Sequence, residues 1–407
     1  MKKKHFIFSS ISSLLLIIFT YFANNSPLFT EESALQYYVI QSVFSSIASP
    51  KPVDYGNAVF YDVSFDKMLI PAISDDKEND TLGVTVITDR QKLLRFLKLL
   101  EKTDKYKHVI VDLVFDENDR SVYDDSLFYQ ISIMRDITIA NSSIITISDS
   151  TLVTQGRTGM IDYYITNANT NFGRWEYMTN ESKSLPLVVY EKINPEKRMK
   201  RFGWGRLAFY TIGGRPCQNG CFLTFDNSYF EPTVVKLSNQ KIAKYDKHIN
   251  LGSFINNPRR NEQDLLYFTK KQTENRYVVI GNFSDDQHDT YMGRVPGSII
   301  VMRALAALES GGNLVYLAPC ILWFIVFFLI NMSILSDKPI SKRIPLVRKS
   351  KCKWIHFLFS IITFAGILTV CTTLEYLLNY PVSSITIPSL YFSILKTVVR
   401  YKNTPLS

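Results

Sequence analysis

His108-Val109-Ile110-Val111-Asp112-Leu113-Val114-Phe115 is a nearly continuous apolar run about as long as one strand. A strand with one wet face alternates apolar and polar residues. A run without alternation suits a strand covered on both faces, as in a parallel sheet flanked by helices. Working outward, 57–62 reads as a strand ending in Asp62, and 88–102 as a helix opening at Thr88-Asp89 with leucines at helical spacing. Residues 122–134 read as a helix and 136–140 as a strand. Tyr277-Val278-Val279-Ile280-Gly281 is a second buried strand, and Pro296-Gly297 opens a small-residue helix reaching about Ser310. Alternating strands and helices of this kind predict an α/β domain with a largely parallel sheet. Thr30-Glu31-Glu32 opens a further expected helix, 30–48, with Thr30 as its cap. The stretch 150–270, rich in Tyr, Asn and Phe, gives no clear pattern.

The ends of the 407-residue chain have a different character. Hydrophobic residues make up 46% and charged residues 20%, with a mean hydropathy of +0.01. The apolar residues gather at the termini. Lys2, Lys3 and Lys4 precede an apolar stretch, 6–23, that reads as an uncleaved anchor in preference to a cleaved signal. Residues 314–335 carry no charge and are long enough to span a bilayer. A loop, 336–353, follows with seven basic residues against Asp337; 354–375 is a further span, and 382–399 a weaker one containing Pro388 and Lys396.

Charge then sets orientation. The chain has 46 basic and 37 acidic residues, a net of +9. Three lysines lie in the first four residues, and ten Lys/Arg lie beyond residue 312, where the only acids are Asp337 and Glu375. The middle, 24–312, is left with 33 basic and 35 acidic residues. The basic excess therefore flanks the spans, as the positive-inside rule requires, and carries no indication of nucleic acid. Residues 1–5, the loop and the tail 400–407 are placed in the cytoplasm and 24–312 outside, which predicts a multi-pass protein of a bacterial inner membrane with a periplasmic domain and lipid contacts.

Polar residues, most of them acids, gather at the strand ends: Asp62 closes the first, Asp112 and Asp116 the second, and Asp285, Asp286, His288, Asp289 and Thr290 follow the last. Ligands of open α/β sheets gather beyond the carboxyl ends of strands. These residues could line one pocket for a cation, an amine or a polyol; alternatively, the aspartates cap turns and helices. Cys217 and Cys221 are the only cysteines of the exported part and are a candidate disulfide there. No metal site is expected, since no His stands near them, and no cofactor is expected.

In sequence order these segments resemble the second type of CHASE domain, the cyclase- and histidine-kinase-associated sensory extracellular domain. The resemblance runs from Val59–Ser64 through Thr88–Arg90, Val109–Asp116 and Tyr123–Leu127 to Ile137–Ala140. It is most specific at Tyr277–Gly281, Asp286–Gly293 and Pro296-Gly297, with an Ala-rich helix ending at Gly311-Gly312. It covers about residues 30–312 and extends to the layout of one N-terminal and three C-terminal spans. It implies ligand sensing, without naming the ligand. The segment 141–235, with basic Glu196–Arg201, departs from the pattern, and no cytoplasmic output module is expected after residue 407.

The leading expectation is therefore a sensor for a small-molecule or peptide ligand, working through a separate signalling or envelope protein. In that reading the helix after Pro296 passes through Gly311 and Gly312 toward the span at 314. The alternatives are a structural component of an envelope complex with a degenerate sensor fold and, further off, a metal-assisted hydrolase. The chain shows none of the sequence motifs of zinc proteases, serine hydrolases or P-loop enzymes, so no catalytic residue is assigned.

Overall fold

The computed structural model of the chain describes residues 3–25, 57–73, 81–143, 150–162, 174–179, 182–203, 208–222, 248–290, 293–336 and 386–403. The helix expected over 30–48, the loop 337–353, the span 354–375 and the start of 382–399 lie outside these residues.

Named in chain order, the elements used below begin with α1 (Lys3–Asn24), β1 (Ala58–Asp62), β2 (Lys67–Ile73), β3 (Thr81–Thr88) and α2 (Arg90–Thr103). Then come β4 (His108–Asp112), α3 (Asp124–Ile133), β5 (Ile137–Asn141), β6 (Thr158–Met160) and α4 (Leu185–Ile193). The short strands β7 (Met199–Phe202), β8 (Phe209–Ile212), β9 (Arg215–Cys217) and β10 (His248–Asn250) precede α5 (Leu251–Ile255) and α6 (Glu262–Thr273). The last are β11 (Tyr277–Gly281), β12 (Gln287–Thr290), β13 (Gly293–Pro296), α7 (Gly297–Glu309), α8 (Leu317–Leu335) and α9 (Thr386–Asn403).

The chain divides into two compact units, one of 50–198 with 223–310, the other of 1–49, 199–222 and 311–407. The first holds a six-stranded sheet in the order β10-β1-β11-β4-β5-β6, every pair parallel. All five residues of β4 and of β11 are buried, which is why neither shows alternation. On one face Val59, Tyr61, Val109, Val111, Ile137, Ile139, Val278 and Ile280 join a core with Leu93, Phe96, Leu97 and Leu100 of α2 and Leu127 of α3. Each such fully buried side chain contributes roughly 1.5–3 kcal/mol of transfer free energy. The alternate residues, including Phe60, Ile110 and Val279, point to the other face, where α4 and α7 pack.

Local chemistry sets the helix limits. Asp89 caps α2 by accepting from Lys92 N at 3.0 Å, and Asp104 closes it in the left-handed conformation. The helix starts after Thr88 because 81–88 is already committed to a hairpin with β2. In the unpatterned stretch, α6 carries a capping box between Asn261 and Asp264.

The second unit holds α1, α8 and α9. Leu16, Trp323, Val326, Phe327, Ile330 and Phe392 form its apolar cluster, and Asn331 Nδ2 donates to Ser13 Oγ at 3.1 Å. Lys3–Asn24 and Leu317–Leu335 are long and apolar enough to cross a membrane. The apolar part of α9, Ile387–Val399, is shorter than a span. The same unit contains an antiparallel meander, β7-β8-β9. Its second turn, Gly213-Gly214, has positive φ at both residues, as a two-residue hairpin requires. The segment 199–222 thus groups with the apolar helices, apart from the sheet domain expected to run unbroken over 24–312.

Candidate functional site

Three strands end side by side. Register places Gly281 of β11 opposite Asp62 of β1 on one side and Asp112 of β4 on the other. Gly281 has no room for a side chain: a Cβ there would stand 1.9 Å from Ser298 Oγ. The missing side chain lets the first turn of α7 approach the strand ends, and Ser298 donates its hydroxyl proton to Asp112 Oδ2 at 2.7 Å. Asp112 is buried.

The loop after β11 supplies the other half. Gly297 N donates to Asp286 O at 3.0 Å, and the Asp286 carboxylate meets His288 Nε2 at 2.9 Å. A Cβ on Gly297 would come within 2.4 Å of Asp286 Oδ2 and 3.2 Å of His288 Nε2. Pro296 ends the β12–β13 hairpin and stands at the N-cap of α7. Asp112, Asp286, His288 and Ser298 therefore surround the first turn of one helix.

Burial pushes the Asp112 carboxyl up to about 7, and the Asp286 charge pushes the same way; the Ser298 hydrogen bond and His288 oppose them. Removal from water disfavours the ionised form, and a second carboxylate nearby disfavours it again. A proton held here is one that a bound cation or amine would displace. The Ser298 hydroxyl is directed at the Asp112 carboxylate and the imidazole Nε2 at Asp286.

The other strand-end residues are engaged with partners outside this cluster. Asp62 accepts from Ser64 N at 2.8 Å and from the Ser64 hydroxyl. That hydroxyl in turn accepts from Phe283 N and Ser284 N, each at 2.9 Å, so the pair fastens the loop after β11. Asp116 accepts from Asn118 N at 2.9 Å, an Asx turn. Asp285 is exposed and pairs with Lys67 at 3.0 Å. Asp289, next to His288 and so on the opposite face of β12, pairs with Arg294 at 3.0 Å on the surface. Thr290 pairs with Gly293 at the hairpin end. Cys217 and Cys221 are both buried and are not joined by a disulfide; burial pushes the Cys217 thiol up to about 12. Gly311 has φ +72, and Gly312 follows it on the way to α8.

Sequence reading missed Ser298, whose only signal is its place beside Pro296-Gly297 at a helix start. Two further buried polar groups were missed. Asp66 accepts from Gly252 N at 2.7 Å and Lys92 Nζ at 2.9 Å, capping α5. Arg90 lies 4.3 Å over the Phe115 ring and 3.7 Å from Asp124, and burial lowers its pKa. No group of three or more His, Cys, Asp or Glu side chains is arranged to hold a metal among the described residues.

Comparison with family models, with curated proteins and with solved structures gave no match to this chain.

Proposed function

We propose that the chain is a bacterial inner-membrane sensor whose periplasmic α/β domain binds a small cationic or amine-bearing ligand at the first turn of α7. Occupancy is reported through the membrane helices to a separate signalling or envelope protein. The observation that carries this reading is Asp112, buried at the end of a central strand and bonded to Ser298 at 2.7 Å. A carboxyl held half-protonated near neutral pH is a poor structural cap but a responsive ligand group. The helix it touches ends at Glu309, and the chain then leads through Gly311 and Gly312 to a helix long and apolar enough to span. The resemblance to sensory domains of the second CHASE type supports the same assignment, and the basic residues flanking the apolar stretches support the orientation.

The test is a thermal-shift screen of the full chain in lipid nanodiscs against primary amines, divalent cations and polyols at pH 6 and pH 8. A hit should raise the melting temperature of the wild type and leave Asp112→Asn unmoved. A hit that shifts both equally would place the ligand elsewhere. A screen without any hit, alongside recovery of a stable envelope complex, would replace the sensor with a structural role.

A further inference from the structure

The meander β7-β8-β9 is fastened to two helix ends at once. Tyr21, in the last turn of α1, donates its hydroxyl proton to Cys217 O at 2.8 Å and accepts from Tyr210 N at 3.0 Å. Just beyond that helix, Asn25 Oδ1 accepts from Asn219 N at 2.9 Å. On the other side, Gln218 N donates to Asn313 O at 2.8 Å and Val315 N to Pro216 O at 2.9 Å, two residues before α8 begins. One strand thus joins the end of α1 to the entry of α8, which puts these two helix ends on the same side of any membrane they cross.

Register sorts the meander into two faces. Met199, Tyr210, Ile212 and Cys217 are buried on one. Lys200, Phe202, Phe209, Thr211 and Pro216 share the other. There Phe202 is 52% and Phe209 37% exposed, and Lys200 is exposed as well. A folded strand pair facing only water would not be expected to direct two phenylalanines outward side by side. The Phe209 ring lies 5.5 Å from that of Tyr21, which sets this outer face at the level of the last turn of α1. Aromatic rings and lysine at the end of an apolar helix are what a membrane–water boundary selects.

We infer that the outer face of β7-β8-β9 rests on the lipid surface, Phe202 and Phe209 entering the headgroup region and Lys200 meeting anionic phosphates. The inference rests on the reading of α1 and α8 as spanning helices. It makes the meander a seat that fixes how deep the two helices sit.

The test places a photoreactive phenylalanine analogue at 202 in the full chain, reconstituted in vesicles of phosphatidylcholine and phosphatidylglycerol, and reads lipid adducts by mass spectrometry. Position 329, 57% exposed on α8, and position 122, 89% exposed in the sheet unit, serve as controls. Adducts at 202 should be comparable to those at 329 and at least about tenfold above those at 122. Lys200→Glu should lower the phosphatidylglycerol share of the adducts at 202 about threefold and leave 329 unchanged. Adducts at 329 without adducts at 202, or cross-links from 202 to protein, would overturn the inference while the spanning helices stand. No adduct at 329 would instead remove the spanning reading, and the inference with it. An unchanged phosphatidylglycerol share in Lys200→Glu would overturn the electrostatic part.

Discussion

At its first turn, helix α7 meets the sheet through Ser298 and a buried Asp112 crowded by Asp286, whereas at its last turn Glu309 meets it through Lys107 at 2.7 Å and the hydroxyl of Tyr277. Lys107 also lies 4.1 Å over the Tyr277 ring. Both contacts tie the helix to the strands β4 and β11. At the far end the carboxylate has a cation beside it, and burial together with Glu309 holds the Tyr277 hydroxyl in its protonated form. At the near end the carboxyl has a hydroxyl and a competing acid. One end is a fastening, and the other changes charge within the physiological range. The sensor role proposed above would use this asymmetry, with the near end responding and the far end holding the helix in place.

The largest test of the asymmetry is Gly281→Ala. The added methyl would displace Ser298 Oγ and leave the buried Asp112 without its donor, costing about 2–4 kcal/mol. This should appear as a lower melting temperature of the full chain, and adding Ser298→Ala should restore part of the loss. If Gly281→Ala melts like the wild type, α7 does not close over the strand ends as described.

Next is the pH dependence of Asp112. Its folded pKa lies above its unfolded value, so its favourable contribution is complete below about pH 4 and is lost as the pH rises through about 7. Between pH 5 and pH 8 the wild type should lose on the order of 2 kcal/mol from this group. Asp112→Asn should flatten that part of the melting profile and be the more stable protein at pH 8. A profile that keeps its slope in the variant would assign the titration to another group.

The far end should respond less. Glu309→Gln removes a half-exposed ion pair, worth about 0.5–1 kcal/mol, with no change of slope between pH 5 and pH 8. A pH-dependent effect there would erase the distinction between the two ends. Smallest of all is Asp289→Ala, which breaks an exposed pair with Arg294 and should shift stability by less than about 0.5 kcal/mol. A larger effect would return Asp289 to the site.

What could be read in the sequence was what burial on both faces writes into it. Strands β4 and β11 stand out because all their positions are buried, and β1 because its three central ones are; Asp89 and Pro296-Gly297 mark their helices by capping chemistry. The hairpin β2–β3 stayed hidden because Leu69, Val84 and Val86 are exposed and apolar, which removes the alternation a two-faced ribbon should show. Strand β10 has three residues, too few for any period. The capping box of α6 uses Asp264 where Glu or Gln is the usual signal, and the Gly213-Gly214 turn went unread in a stretch without alternation. For the candidate site, the sequence showed which acids follow strands but not which of them lose their water. That depends on Gly281 and Ser298 coming together across the fold.

The order of the strands bears on how the domain is made. Strand β11, among the last elements of the sheet domain to be synthesised, lies between β1 and β4, which have no ladder to each other. Until residue 281 is available the sheet has a gap at its centre, and its two halves can form only as separate, unfinished edges. Pairings this distant in sequence close slowly, and open strand edges are sites of misassembly. The domain therefore stays vulnerable through most of its synthesis and becomes secure in one late step, shortly before α8 emerges.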